Sequence, residues 1–121
     1  KALLETAAKS DLSIMVFVGN SGAIQIHTGP INTIREMGDW INIMDPSFTL
    51  HLRMDLIAEA WLVRKPIREG QVTTVELYDA ELNNFVIFCG ERKPKDPENP
   101  DWQKLAEGLP RYSSAAAKVA E

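Results

Sequence analysis

Ile14-Met15-Val16-Phe17-Val18, then Gly19-Asn20-Ser21-Gly22, then Ala23-Ile24-Gln25-Ile26-His27-Thr28: these neighbouring stretches decide how the chain folds. The first is a continuous apolar run of strand length. The second gathers residues that tolerate positive φ. The third alternates, with Ile24 and Ile26 on one side and Gln25 and His27 on the other. Together they predict a β-hairpin with a four-residue loop.

The same period of two continues outward from the hairpin. Gly29-Pro30 breaks the chain, and a third strand is expected within Ile31 to Met37. Gly38-Asp39 turns into the alternating Trp40-Ile41-Asn42-Ile43-Met44, and Asp45-Pro46-Ser47 turns again. Phe48 to Arg53 alternates strictly, which sets His51 and Arg53 opposite the leucines; Met54 to Ala58 fits one helical turn. The strand Glu59 to Lys65 stops at Pro66, which donates no ladder hydrogen bond and restricts its predecessor. Gly70 turns into the β-branched Val72 to Tyr78, and the loop Asp79 to Asn84 leads into Phe85 to Gly90. Seven or eight short-linked strands predict one large antiparallel meander.

Helices flank this sheet on both sides in sequence. Lys1 to Lys9 carries Leu3, Leu4, Ala7 and Ala8 on one helical stripe, yet no capping residue precedes it. That pattern predicts the end of a helix whose start lies upstream, in a longer protein. The prolines of 94–100 oppose both helix and central strand. Asp101 is expected to cap a short helix from Trp102 to Gly108, with Trp102, Leu105 and Leu109 toward the sheet. Ser113 to Glu121 is alanine-rich and expected to fray. The class is α+β. Residues 1–12 form the end of a preceding helix, 13–93 the sheet domain, and 94–121 a Pro-rich linker, short helix and tail.

Composition narrows the function. With 121 residues, 45% hydrophobic and 25% charged, the chain is of globular type and long enough for one core. Charged residues interrupt every apolar run before the roughly 18 residues that a membrane span requires. No secretory signal is visible, and the single Cys89 fits a reducing cytoplasm. A net charge of −4 argues against a nucleic-acid platform built on bulk basicity.

No enzyme motif is present: there is no GxSxG elbow, phosphate-binding loop, HExxH or cysteine pair for zinc. His27 and His51 read as hydrogen-bonded strand histidines before metal ligands. Cys89 reads as a buried, inert thiol, and Phe17, Trp40 and Trp61 as packing residues. The basic residues leave an alternative open. Arg64-Lys65 ends one strand and Arg92-Lys93 follows another. If these ends are neighbours, Lys65 and Arg92 form a cationic rim beside an apolar sheet face, suited to a flat apolar ligand with peripheral carboxylates. If not, they are ordinary solvated strand ends.

Several consecutive segments resemble the bacterial haem-utilisation proteins of HemS type, whose members are haemin-degrading enzymes or haem-trafficking proteins. They are Met15 to Asn20, Ile24 to Pro30, Trp40 to Pro46, Phe48 to Arg53, Ile57 to Trp61, Arg64 to Pro66, Val72 to Leu77 and Gly90 to Pro94. They occur in family order across about Ser13 to Lys95, in the second of the two similar halves of the full-length protein.

The resemblance implies haem in a cleft between the two halves, with Phe17 as an aromatic contact and Lys65 and Arg92 as contacts to the propionates or haem edge. It implies an axial histidine on a helix upstream and a distal arginine from the amino-terminal half. Cys89 stands where tyrosine is common and Ile87 where a polar residue occurs, so distal hydrogen bonding departs from the family pattern. The resemblance further implies a cytoplasmic protein of haem uptake and iron acquisition, with a haem oxygenase or the inner-membrane haem transporter as further partners. Three alternatives stand: degradation of haem, delivery of intact haem, and a scaffold half without haem affinity.

Overall fold

The computed structural model describes residues 1–111. Helix α1 (Ala2–Ser10) leads into β1 (Ile14–Gly19), β2 (Ile24–Gly29), β3 (Ile34–Met37), β4 (Trp40–Met44) and β5 (Thr49–Arg53). A 3-10 turn at Met54–Leu56 precedes β6 (Glu59–Ile67), β7 (Gly70–Tyr78), β8 (Asn84–Gly90) and helix α2 (Pro100–Glu107). The α+β class and the antiparallel pairing follow the sequence expectation. The expected tail, Ser113 to Glu121, lies outside the described residues.

The strands do not follow one another in a single meander. Five of them form one sheet in the order β2-β1-β8-β7-β6, and β3-β4-β5 form a second. The departure lies at β1, which pairs with β8 across most of the chain, Ile14 opposite Gly90 and Phe17 opposite Ile87. Strand periodicity specifies faces and not partners, so this long-range pairing has no local signature.

The inner face of the large sheet carries Ile14, Val16, Val75, Leu77, Val86 and Phe88, all buried. Leu3, Leu4 and Ala7 of α1, Ile41 and Ile43 of β4, and Trp102 and Ala106 of α2 complete one continuous core. Trp102 is fully buried, and its indole N–H donates to the carbonyl of Thr73 at 2.8 Å, which satisfies the polar atom of a large apolar side chain. The cap of α2 differs from the expectation. Asn99 is the N-cap, with its side chain accepting from the Asp101 N–H, and Asp101 lies in the first turn, where a negative charge favours the helix N-terminus.

Two loop contacts fix the second sheet. The buried Asp45 accepts from the backbone N–H groups of Asn32 at 2.9 Å and Thr33 at 2.8 Å, clamping the entry to β3 against the end of β4. His27 of β2 stacks on Phe48 with ring centroids 3.8 Å apart and parallel planes, and so bridges the two sheets.

Candidate functional site: the outer face of the five-stranded sheet

The outer face is built from the alternate residues of its strands. Ile26 lies opposite Phe17, Phe17 opposite Ile87, Ile87 opposite Glu76, and Glu76 opposite Trp61. These five residues form one row across all five strands. Met15 and Cys89 pair in the next row, and Val63 and Lys65 continue the Trp61 side of β6. Phe17, Ile87, Cys89 and Trp61 are half-buried, while Ile24 and Ile26 are 64% and 51% exposed. β2 therefore turns its apolar residues outward. Its Gln25 and His27 lie on the side of Val16 and Val18, by a cavity of about 390 Å³ that also touches Phe48.

The apolar side of β2 is thus the open one, while on its polar side His27 is half-buried and Gln25 exposed. A two-residue period states which residues share a face, but only the pairing to β1 decides which face is open. His27 is not a hydrogen-bonded surface histidine: its Nε2 is buried without a partner among the described residues, and the ring is held by Phe48. His51, in the second sheet, is hydrogen-bonded at Nδ1 to Asn42 Oδ1 at 2.7 Å, as a strand histidine should be. Of the aromatic residues expected to pack in the core, Phe17 and Trp61 are half-buried on the outer face, and Trp40 is 41% exposed.

Lys65 lies on the Trp61 side of β6, and Arg92 follows the end of β8 by two residues. Both cations act on the Cys89 thiol and pull its pKa down, but burial foremost, and then the carboxylate of Glu98, push it up to about 11. The sulfur therefore stays protonated at neutral pH. Arg92 leaves the end of β8 and donates from Nη1 to the carbonyl of Asp96 at 2.8 Å, so the Pro-rich loop holds its guanidinium. Arg64, one residue before Lys65, takes the opposite side of β6 and pairs with Glu107 of α2 at 3.2 Å. The two members of the Arg-Lys dipeptide thus divide between structural and outer-face positions.

Beside Lys65 sits a carboxylate that motif reading passes over. Glu76 is buried, and its Oε2 lies 3.1 Å from Lys65 Nζ. The same oxygen accepts from Thr74 Oγ1 at 2.6 Å, and Oε1 accepts from the Tyr78 hydroxyl at 2.9 Å. Burial pulls the Glu76 pKa upward, but the hydrogen bonds from Thr74, Lys65 and Tyr78 together outweigh it and hold the group ionised, below the usual carboxylate value. A signal was present. Thr74, Glu76 and Tyr78 occupy alternate positions of one strand, and three hydrogen-bonding side chains in succession on one face mark a polar network.

An apolar face of four strands, edged by two cations, matches the shape and charge of a flat macrocycle with carboxylates on one side. His27 lies behind the sheet and His51 belongs to the other sheet, so neither histidine is on this face.

Comparison with known proteins agrees in fold and in segment order. The family described as the haemin-degrading HemS.ChuX domain matches residues 1–109. The chain belongs to the HemS family. It is 42% identical over 101 residues to the hemin transport protein HemS of Yersinia enterocolitica, covering 84% of this chain and 29% of that protein. The crystal structure of apo-PhuS, a heme-binding protein from Pseudomonas aeruginosa, is 50% identical with a TM-score of 0.88, over 89% of this chain and 32% of that one. ChuS, described as an E. coli heme oxygenase, is 42% identical with a TM-score of 0.86, over 89% of this chain and 33% of that one. The chain thus spans about a third of the length of these relatives. No helix among the described residues is long and apolar enough to cross a membrane.

Proposed function

We propose that this chain supplies one wall of a haem site in a protein of bacterial haem uptake and iron acquisition. Phe17 contacts the ring, and Lys65 and Arg92 pair with the propionates. The observation that carries the reading is the apolar row Ile26, Phe17, Ile87, continued to Glu76 and its ion-pair partner Lys65, with Arg92 two residues beyond the end of β8. Charge-assisted bonds to two carboxylates fix a ring's edge while the sheet face buries its body. Haem, when bound, supplies the iron for any oxygen chemistry; the residues of this chain bind and orient the ring.

The axial histidine and the opposite wall belong to an amino-terminal half, as the family likeness implies, and the setting is the cytoplasm. A haem oxygenase or the inner-membrane haem transporter is the partner in hand-over. Haem-handling relatives bear names for both transport and heme oxygenase, and both roles use the same wall.

Titration of the full-length protein with haemin, followed at the Soret band, tests the reading. A saturable Soret shift that weakens when Phe17 is replaced by Ala supports it; the absence of a shift overturns it. Adding a reductant under catalase then separates the two roles. Loss of the band with a ring-opened product marks degradation, and an unchanged band with transfer to an added oxygenase marks delivery.

A further inference from the structure

A carboxylate on a face that receives an anionic ligand opposes that ligand by its sign. Glu76 nonetheless lies in the central row of the face, buried, with its charge against Lys65. Its hydrogen bonds explain how it remains there. Thr74 donates to Oε2 and Tyr78 to Oε1, so each oxygen keeps a hydroxyl donor when Lys65 leaves. Lys65 is differently placed: its side chain is 52% exposed, and its four-carbon stem allows the ammonium to swing away. Arg92 has no carboxylate within ion-pair distance among the described residues and is tethered to the Asp96 carbonyl instead. Of the two cations, one is fixed and available to an anion, and the other is already partnered.

We propose that Glu76 is an internal competitor for Lys65, a specificity-determining residue that any ligand carboxylate must displace to engage the ammonium. The inference rests on the reading of this face as a haem wall. Arg92 then makes the first contact with a carboxylate edge, and Lys65 transfers from Glu76 to the second carboxylate. Thr74 and Tyr78 keep Glu76 hydrogen-bonded after the exchange. Two other carboxylates nearby are engaged, Glu59 by the Trp61 indole N–H at 3.1 Å and Glu98 by the Thr73 backbone N–H and hydroxyl. A ligand with apolar body but no carboxylate gains nothing from Lys65, and a carboxylate ligand binds less tightly than the two cations alone would allow.

The test compares haemin with its dimethyl ester on the full-length protein. Glu76→Gln keeps size and one acceptor oxygen but removes the charge. It should tighten haemin binding about threefold to tenfold, the range of a partly exposed ion pair, and change ester binding little. The gain should vanish in Glu76→Gln combined with Lys65→Ala. Tyr78→Phe removes one donor from Glu76, strengthens its hold on Lys65 and should weaken haemin binding; it also serves where Glu76→Gln does not fold. Haemin binding weakened by Glu76→Gln as much as by Lys65→Ala overturns the proposal, because Glu76 is then a support and not a competitor. A ligand-free measurement separates this from failure of the haem reading. Acetylation of Lys65 by an anionic N-hydroxysulfosuccinimide ester, followed by peptide mass spectrometry, should run faster in Glu76→Gln. Faster acetylation with no haemin binding removes the haem wall but leaves the competition for Lys65 intact; equal rates refute the competition.

Discussion

The alpha carbon of Gly90 lies against the Trp102 indole so closely that a Cβ at residue 90 would sit 2.7 Å from both Cβ and Cγ of Trp102. Gly90 ends β8 and Arg92 follows two residues later, so the packing of α2 on this glycine fixes where the strand stops and where the guanidinium emerges. Trp102 cannot retreat, because it is fully buried and bonded to the Thr73 carbonyl at 2.8 Å.

Gly90→Ala should therefore destabilise the fold by about 1–3 kcal/mol, the usual cost of overpacking a filled core. Urea unfolding followed by tryptophan fluorescence checks it. An unchanged midpoint would mean that α2 shifts freely over the sheet, against the contact described.

Cys89 should be a slow nucleophile. With its pKa raised to about 11, chiefly by burial, it carries at pH 8 roughly a hundredth or less of the thiolate of an ordinary exposed cysteine. Labelling by a disulfide reagent at pH 8 should be slow in the native protein and fast in denaturant. Lys65→Ala and Arg92→Ala should slow it further, since both cations favour the thiolate. Native labelling at the denatured rate would contradict the buried, protonated sulfur.

How much of this was legible in the sequence depends on whether the cause was local. The β1–β2 hairpin was readable because the residues from Gly19 to Gly22 provide its turn and alternation its strands; Asn20 Oδ1 accepts from the N–H groups of Gly22 and Ala23. The turn after Arg53 was readable for similar reasons, whereas β6 does not stop at Pro66 but runs on to Ile67, paired with Gln71 and Gly70, because an edge strand tolerates a proline on its open side. The pairing of β1 with β8, the separation of β3-β4-β5 and the outward turn of Ile24 and Ile26 were not, because partners distant in sequence decide them. Within the candidate site, Phe17, Lys65 and Arg92 were reached through family likeness and strand ends. Glu76 carries a signal in its alternation with Thr74 and Tyr78, but its ion pair with Lys65 of the neighbouring strand is visible only in the fold.

Asp45 should matter more than its place in an Asp-Pro turn suggests. Asp45→Ala leaves the N–H groups of Asn32 and Thr33 without their acceptor and should cost about 2 kcal/mol, as expected for hydrogen bonds to a charged group. Asp45→Asn should recover part of this. Thermal unfolding of the two variants checks the order, and an Ala variant as stable as the parent would remove the clamp from the account.

Replacing Lys65 and Arg92 together by Ala should weaken haemin binding by a few kcal/mol at most, about the worth of two charge-assisted contacts, without unfolding the chain. Haemin titration of the folded double variant reads the loss directly. Unaltered affinity would remove both residues from the propionate contacts.

Glu76 should make stability depend on pH in acid. Its carboxyl ordinarily titrates near 4.5, and in the fold it is held lower because the bonds from Thr74, Lys65 and Tyr78 outweigh burial. A group with a depressed folded pKa stabilises the native state above its unfolded value, and that contribution is lost as pH falls through the folded value. The parent should therefore lose stability from about pH 5 downward. Glu76→Gln gives up the ion pair with Lys65, so at neutral pH it should be less stable by about 1–2 kcal/mol. Its acid slope should be shallower, so that the two stability curves converge as pH falls. Urea unfolding of both proteins across the acid range measures this, and curves that stay parallel would show that Glu76 is not held ionised by its three donors.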